Sequence, residues 1–196
     1  MSFPVAPACR GLQSFAAAAT LACAISCAGA SGLRCEAAPS PSFAPWPHPA
    51  PGFSLTDSRG APATFAANPT GATLVHFFAT WCEPCREELP ALRRLSERGG
   101  AKIRVVYVSV AEPEIRVQKF MTSEFGDATA FPVLIDRDRA VSRAWSVTSL
   151  PSTIALNARG QPRLAAEAAV AWDEIQPDTL IETIESGPKK SSKEGD

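Results

Sequence analysis

The chain has 196 residues, room for one ordinary domain with appendages. Apolar residues make up 45% of it, enough for a core of normal size, and 19 basic against 20 acidic residues leave a net charge of -1. No basic stripe or long like-charge block is present, which argues against a nucleic-acid partner.

Residues 1–30 stand apart from the rest. Arg10 is the only charge before an alanine-rich apolar run, and Ala28-Gly29-Ala30 closes that run with the small residues of a signal-peptidase site. The same run suits an uncleaved membrane anchor, and Cys27 suits lipid attachment. All three readings export the domain, so residues 1–30 are expected to be a signal peptide or anchor. The domain itself is expected in the periplasm, soluble or tethered at its N-terminus. Residues 31–50 read as a linker. Prolines at 39, 41, 45, 47, 49 and 51 deny it hydrogen-bonded structure and favour an extended chain. The folded domain is expected over 51–186, and the charged segment 187–196 as a frayed tail.

Within 51–186, Phe53 and Leu55 alternate with polar residues before Asp57-Ser58-Arg59-Gly60, a hairpin start. TLVHFFA at 73–79 is a nearly continuous apolar run, the pattern of a central strand covered on both faces. A helix follows over 83–98 with Cys85, Leu89, Leu92 and Ser96 on one face, kinked at Pro90. Further strands are expected at 102–110, 132–135 and 152–156, with helices at 114–125 and 139–145. After a turn at 157–160, residues 163–170 pair back antiparallel, and 173–185 form the closing helix. Strands alternating with helices give an α/β fold, a central mixed β-sheet flanked by helices on both faces.

Six cysteines are present, but Cys9, Cys23, Cys27 and Cys35 precede the domain. Only Cys82 and Cys85 remain in its body, too few for a structural disulfide framework. They lie in Trp81-Cys82-Glu83-Pro84-Cys85, where a buried strand passes into a helix. The dipole and unpaired N–H groups of a helix N-terminus stabilise a thiolate, which is the nucleophilic form of cysteine. Cys82 would hold that exposed end and attack a disulfide; Cys85, one turn deeper, would resolve the mixed disulfide. A C-x-x-C pair also occurs in zinc and haem sites. Zinc wants four ligands, and beyond the pair the domain offers only His76; haem attachment needs a histidine after Cys85, and Arg86 stands there. The residues therefore favour redox chemistry without a metal or cofactor.

FFATWCEPCREELPAL resembles the active-site segment of the thioredoxin superfamily. The longer run is similar to the exported TlpA/ResA-like thiol–disulfide oxidoreductases, on PGFSLTDSRG, VYVSVAEPE, FPVLIDRDRAVSRAWSV and LPSTIALNARG in that order. The match weakens after Arg163, where AAEAAVAW lacks an expected glycine. The resemblance implies a thioredoxin-like fold, no cofactor, and reduction of cysteine pairs in partner proteins such as apocytochrome c or copper-site proteins. It also implies an upstream electron donor, and the domain is expected to be a monomer.

Site residues follow from the same resemblance. Pro151 is expected in cis beside the cysteine pair, with the backbone of Leu150 free to pair with a substrate strand. Glu88, three residues after Cys85 on one helix face, is either a surface carboxylate supporting the helix dipole or a partly buried acceptor of the Cys85 proton. His76 stands where thioredoxins have a buried acid and closer relatives often asparagine. It reads as a satisfied core histidine or as a tuning group. Trp81 is expected to pack beside Cys82 and contact partners, and Trp145 to be core. Glu83 and Pro84 lie between the cysteines, and the negative charge of Glu83 should disfavour the thiolate, as suits a reductant. Two other functions use related features. A peroxiredoxin-type peroxidase would need a lone cysteine in a Thr-x-x-Cys setting with an arginine; a copper- or zinc-binding module would need further ligands.

Overall fold

The computed structural model describes residues 43–126 and 132–187. The expectations for 1–30, for the linker up to residue 42 and for the tail after 187 lie outside the described residues.

In chain order the elements are β1 (Ala44–Pro45), β2 (Ser54–Asp57), β3 (Pro62–Thr64), β4 (Ala72–Phe78), α1 (Glu83–Gly99), β5 (Ile103–Val110) and α2 (Glu114–Phe125). Then come β6 (Val133–Asp136), α3 (Ala140–Ala144), β7 (Ser152–Leu156), β8 (Pro162–Ala166) and α4 (Pro177–Ser186). Among the described residues the eight strands join one mixed sheet in the order β1-β8-β7-β4-β5-β6-β2-β3. β4, β5 and β6 run parallel, linked by α1 and α2, while the remaining neighbours pair antiparallel. The fold is thioredoxin-like α/β, as the sequence implies.

β4 is buried along its whole length, which explains its unbroken apolar character. The strand pleat divides its side chains between two cores. Leu74 and Phe78 join Leu89 and Leu92 of α1, Val117 and Met121 of α2, and Leu180 and Ile184 of α4. Val75 and Phe77 join Trp145, Val141 of α3 and Ile154 on the other face. His76 shares the pleat parity of Leu74 and Phe78, so it points toward α1. Trp145 is fully buried, in edge or tilted contact with Phe53, Phe65 and Phe77, and its Nε1 donates to the Pro51 carbonyl at 2.9 Å.

Four expectations need correction. The buried stripe of α1 continues through Leu95, while Ser96 is half-buried and donates to the Ile103 carbonyl at 3.1 Å. The last strand stops at Ala166, short of Val170. The closing helix starts at Pro177, preceded by a separate 3₁₀ turn at Trp172–Glu174. A proline at the first helical position sets the new start, because its missing N–H would have no partner there anyway. The end of the proline-rich segment is not free chain. Ala44 and Pro45 pair with Ala165 and Leu164, the Trp46 N–H donates to the Arg163 carbonyl at 3.0 Å, and the Phe43 ring meets Trp172 at 5.7 Å. Phe43 and Trp46 supply apolar anchors that outweigh the donors lost to proline. Among the described residues no helix is long and apolar enough to cross a membrane.

Candidate active site

The segment between β4 and α1 lies at the C-terminal ends of the parallel strands, the usual place for a site in a sheet of this kind. Cys82 is the N-cap of α1, with extended backbone at φ -86° and ψ 106°; its N–H donates to the Ala79 carbonyl at 3.1 Å. Pro84 fits the first turn of α1 because the N–H it lacks has no helical partner there. Cys82 and Cys85 are joined by a disulfide with their Cα atoms 5.3 Å apart. Cys82 is 7% exposed and Cys85 not at all, so a partner can reach the pair only through Cys82. Even Cys82 is more covered than a helix end suggests, whereas Trp81 beside it is 66% exposed.

Three residues after Cys85 on α1, Glu88 is 4% exposed. Its Oε1 accepts hydrogen bonds from the Val170 N–H and, at 2.9 Å, from Trp172 Nε1. Among the described residues its Oε2 has no hydrogen-bond partner; it lies 3.9 Å from Nε2 of the fully buried His76, which has none there either. His76 Nδ1 is 2.9 Å from Thr153 Oγ1 on β7. Burial pushes the Glu88 carboxyl up to about 7, against the lowering effect of the Val170 and Trp172 hydrogen bonds. Burial pushes His76 down to about 3, so its ring is neutral at ordinary pH. Neither of the simple readings of these residues holds. Glu88 is not a surface carboxylate, and His76 is satisfied on only one nitrogen.

The other residues singled out in the sequence divide. Trp81 and Leu150 line one groove of about 240 Å³ with Val110, Ala111 and Val147. The Leu150–Pro151 peptide is cis. Glu83 turns to solvent and pairs with Arg86 at 3.5 Å, so its charge beside the thiols is partly offset. That pairing weakens the expected disfavouring of the thiolate by Glu83. Among the described residues no group of three or more His, Cys, Asp or Glu is placed to hold a metal ion.

Sequence reasoning missed Glu112, Val170 and Trp172. Glu112, 1% exposed, accepts from the Thr80 N–H at 2.7 Å, from the Thr80 hydroxyl, and from the Ser109 hydroxyl at 2.9 Å. It thereby ties the loop before Cys82 to the end of β5. A carboxylate just past the C-terminal end of a parallel strand is a signal that could have found it. Nothing local marks Trp172 as a partner of Glu88, 84 residues away. α1 is held to the Trp172 turn by Arg94, which forks onto Asp173 at 2.9 and 2.6 Å, and by Arg98, which donates to the Trp172 carbonyl at 3.1 Å.

Residues 47–165, more than half the chain, match the model of the Redoxin family. The chain belongs to the Redoxin family. Within it, this redoxin is of the TlpA/ResA-like thioredoxin type. It is 34% identical over 113 residues to the thiol-disulfide oxidoreductase ResA of Bacillus subtilis, an alignment covering 57% of this chain but only 62% of that protein's length. It is 30% identical over 131 residues to ResA of Geobacillus kaustophilus, covering 65% and 72%. Among solved structures, a thiol:disulfide interchange protein of the thioredoxin family from Chlorobium tepidum superposes with a TM-score of 0.58. It is 25% identical and covers 70% of this redoxin and 96% of that chain. StoA of Bacillus subtilis shares the fold, with a TM-score of 0.54, 18% identity, and 69% and 98% covered.

Proposed function

We propose that this redoxin is an exported thiol–disulfide oxidoreductase that reduces disulfides in partner proteins, with apocytochrome c and copper-site cysteine pairs as the substrate class. The observation that carries the reading is the Cys82–Cys85 pair at the N-terminus of α1, with one sulfur reachable and the other sealed. In the reduced protein the Cys82 thiolate attacks a partner disulfide, forming a mixed disulfide and releasing one partner thiolate. Cys85 then gives its proton to the ionised Glu88 carboxyl. The Cys85 thiolate attacks Cys82 Sγ, closes the internal disulfide and expels the second partner thiolate. Two electrons pass from the dithiol to the partner, and a dithiol donor must restore them. A carboxyl with its midpoint near neutral pH is suited to take and release that proton. The groove at Trp81 and Leu150 offers an apolar seat for the chain around the partner's cysteine.

Two measurements test this. In the reduced protein Cys82 should be alkylated before Cys85; the reverse order would exchange their roles. Cys85→Ser should accumulate a mixed disulfide with a disulfide-containing substrate protein, and Cys82→Ser should not. Capture by Cys82→Ser with none by Cys85→Ser would overturn the reading.

A further inference from the structure

Two buried polar atoms face each other with no hydrogen-bond partner among the described residues: Glu88 Oε2 and His76 Nε2, 3.9 Å apart. That gap exceeds a direct hydrogen bond by about 1 Å, within reach of a small rotation of the glutamate side chain. We propose that His76 is the positioning residue for the Glu88 proton, its Nε2 accepting from the protonated carboxyl and donating to the ionised one through a tautomer exchange that the Thr153 hydroxyl permits. The proposal rests on the reading that Glu88 receives the Cys85 proton.

The hydroxyl of Thr153 both donates and accepts, so either tautomer of His76 is satisfied at Nδ1. When Thr153 donates to Nδ1, the ring carries its hydrogen on Nε2 and presents a donor to the Glu88 carboxylate. When Nδ1 carries the hydrogen and donates to Thr153, Nε2 is a bare acceptor for the Glu88 carboxyl proton. The second arrangement of Glu88, His76 and Thr153 holds one proton more than the first. In the proposed cycle that proton comes from Cys85, which leaves as the thiolate. The ring stays neutral in both arrangements, in keeping with its depressed proton affinity.

The surroundings favour exchange within the group over charge separation. The His76 ring is stacked on Phe78, with centroids 6.0 Å apart, and meets the edge of Tyr107 from β5 at 6.3 Å. Tyr107 is buried and its phenol is pushed up by that burial, so it stays un-ionised. From α1 the titratable groups are Glu88 itself and Cys85, one turn earlier. From β7 and the Trp172 turn come only Thr153 and the indole N–H of Trp172, neither of which titrates. Glu88 Oε1 keeps its two donors in either state.

The test uses the full chain in the disulfide form, labelled with ¹⁵N-histidine and ¹³C-glutamate and followed by NMR between pH 5 and 9. His48→Gln removes the only other histidine signal. The His76 nitrogens should exchange their N–H-bearing and bare signatures at the same midpoint as the Glu88 carboxyl, with no imidazolium. Thr153→Val should abolish the exchange, and His76→Phe should displace the Glu88 midpoint by about one pH unit. His76→Gln, whose amide presents either a donor or an acceptor at the Nε2 position, should restore it. One fixed tautomer across the range, an imidazolium at neutral pH, or a Glu88 midpoint indifferent to both Thr153→Val and His76→Phe would overturn the proposal. The pH profile of Cys85 alkylation in reduced wild type and Glu88→Gln separates the two readings. An unmoved profile overturns the proton transfer from Cys85, whereas a moved profile with a fixed tautomer overturns the role of His76 alone.

Discussion

Two buried glutamates bracket the Trp81–Cys85 segment along the chain, Glu112 through Thr80 just before it and Glu88 on α1 just after it, and their surroundings differ in kind. Glu112, at the end of β5, has both carboxylate oxygens occupied by donors from Thr80 and Ser109. Glu88, on α1, has one oxygen occupied and one facing a histidine nitrogen 3.9 Å away. A fully bonded carboxylate holds its neighbours still, since moving any of them leaves a buried donor unsatisfied. A half-bonded one has a proton affinity its surroundings can set. Burial alone therefore does not tell a structural acid from a chemical one; the count of donors on each oxygen does.

The contrast can be broken by substitution. Glu112→Ala strands the Thr80 N–H and two hydroxyls, and should destabilise the fold by about 4 kcal/mol in denaturant unfolding. A small loss of stability together with a displaced pH–rate profile would erase the distinction.

Glu88→Gln should act in the opposite way. The folded-state carboxyl titrates near 7 against 4.5 for an unperturbed one, so the folded protein binds more protons between those values. Stability is complete below about pH 4.5 and falls as pH rises through 7, by about 3 kcal/mol at about 1.4 kcal/mol per pH unit. Glu88→Gln removes that fall, and its unfolding free energy should be flatter than wild type from pH 5 to 8. His76 works in the reverse sense on the acid side, since a lowered folded-state value costs stability as pH drops below 6.5. The comparison of variants is therefore cleanest above that pH. An identical slope in wild type and Glu88→Gln between pH 6.5 and 8 would show that Glu88 does not titrate there.

Trp172→Phe sharpens the same point on a smaller scale. It deletes one hydrogen bond that favours the ionised carboxyl, so the Glu88 midpoint should rise above 7, by about one pH unit. A fall in the midpoint, read by ¹³C NMR of the glutamate, would mean that the indole does not hold Glu88 Oε1. Arg94→Ala should have the smallest effect. It cuts a half-exposed ion pair that ties α1 to the Trp172 turn, and the unfolding midpoint should move no more than for an ordinary surface substitution. A loss comparable to that of Glu112→Ala would make the turn, not Glu88, the fragile element of the site.

What the sequence discloses here is what short-range pattern can carry. The unbroken apolar run of β4, the helix start at Cys82 and the cysteine spacing are local, and each is where its pattern puts it. The donors of Glu112 and Glu88 are not local. Thr80 is 32 residues from Glu112, and Trp172 is 84 from Glu88, brought in by a 3₁₀ turn that the closing-helix pattern at 173–185 absorbs. His76 was visible as an oddity, but only the strand pleat and the packing of α1 over it reveal that it faces a carboxylate. The proline-rich segment misled in another way. Proline content reports donors lost, whereas docking of residues 43–46 was decided by the aromatic side chains between the prolines.

That docked segment also sets how the sheet ends. Its two outermost strands are β1, two residues long with Pro45, and β3, three residues long with Pro62. Neither offers the run of free N–H groups that another copy's strand would need in order to add on, and short, proline-bearing margins are how β-proteins resist edge-to-edge aggregation. With both margins blunted, this sheet is poorly suited to growing by strand addition into fibrils. Deleting residues 43–46 would uncover β8, and the first sign should be loss of solubility during refolding.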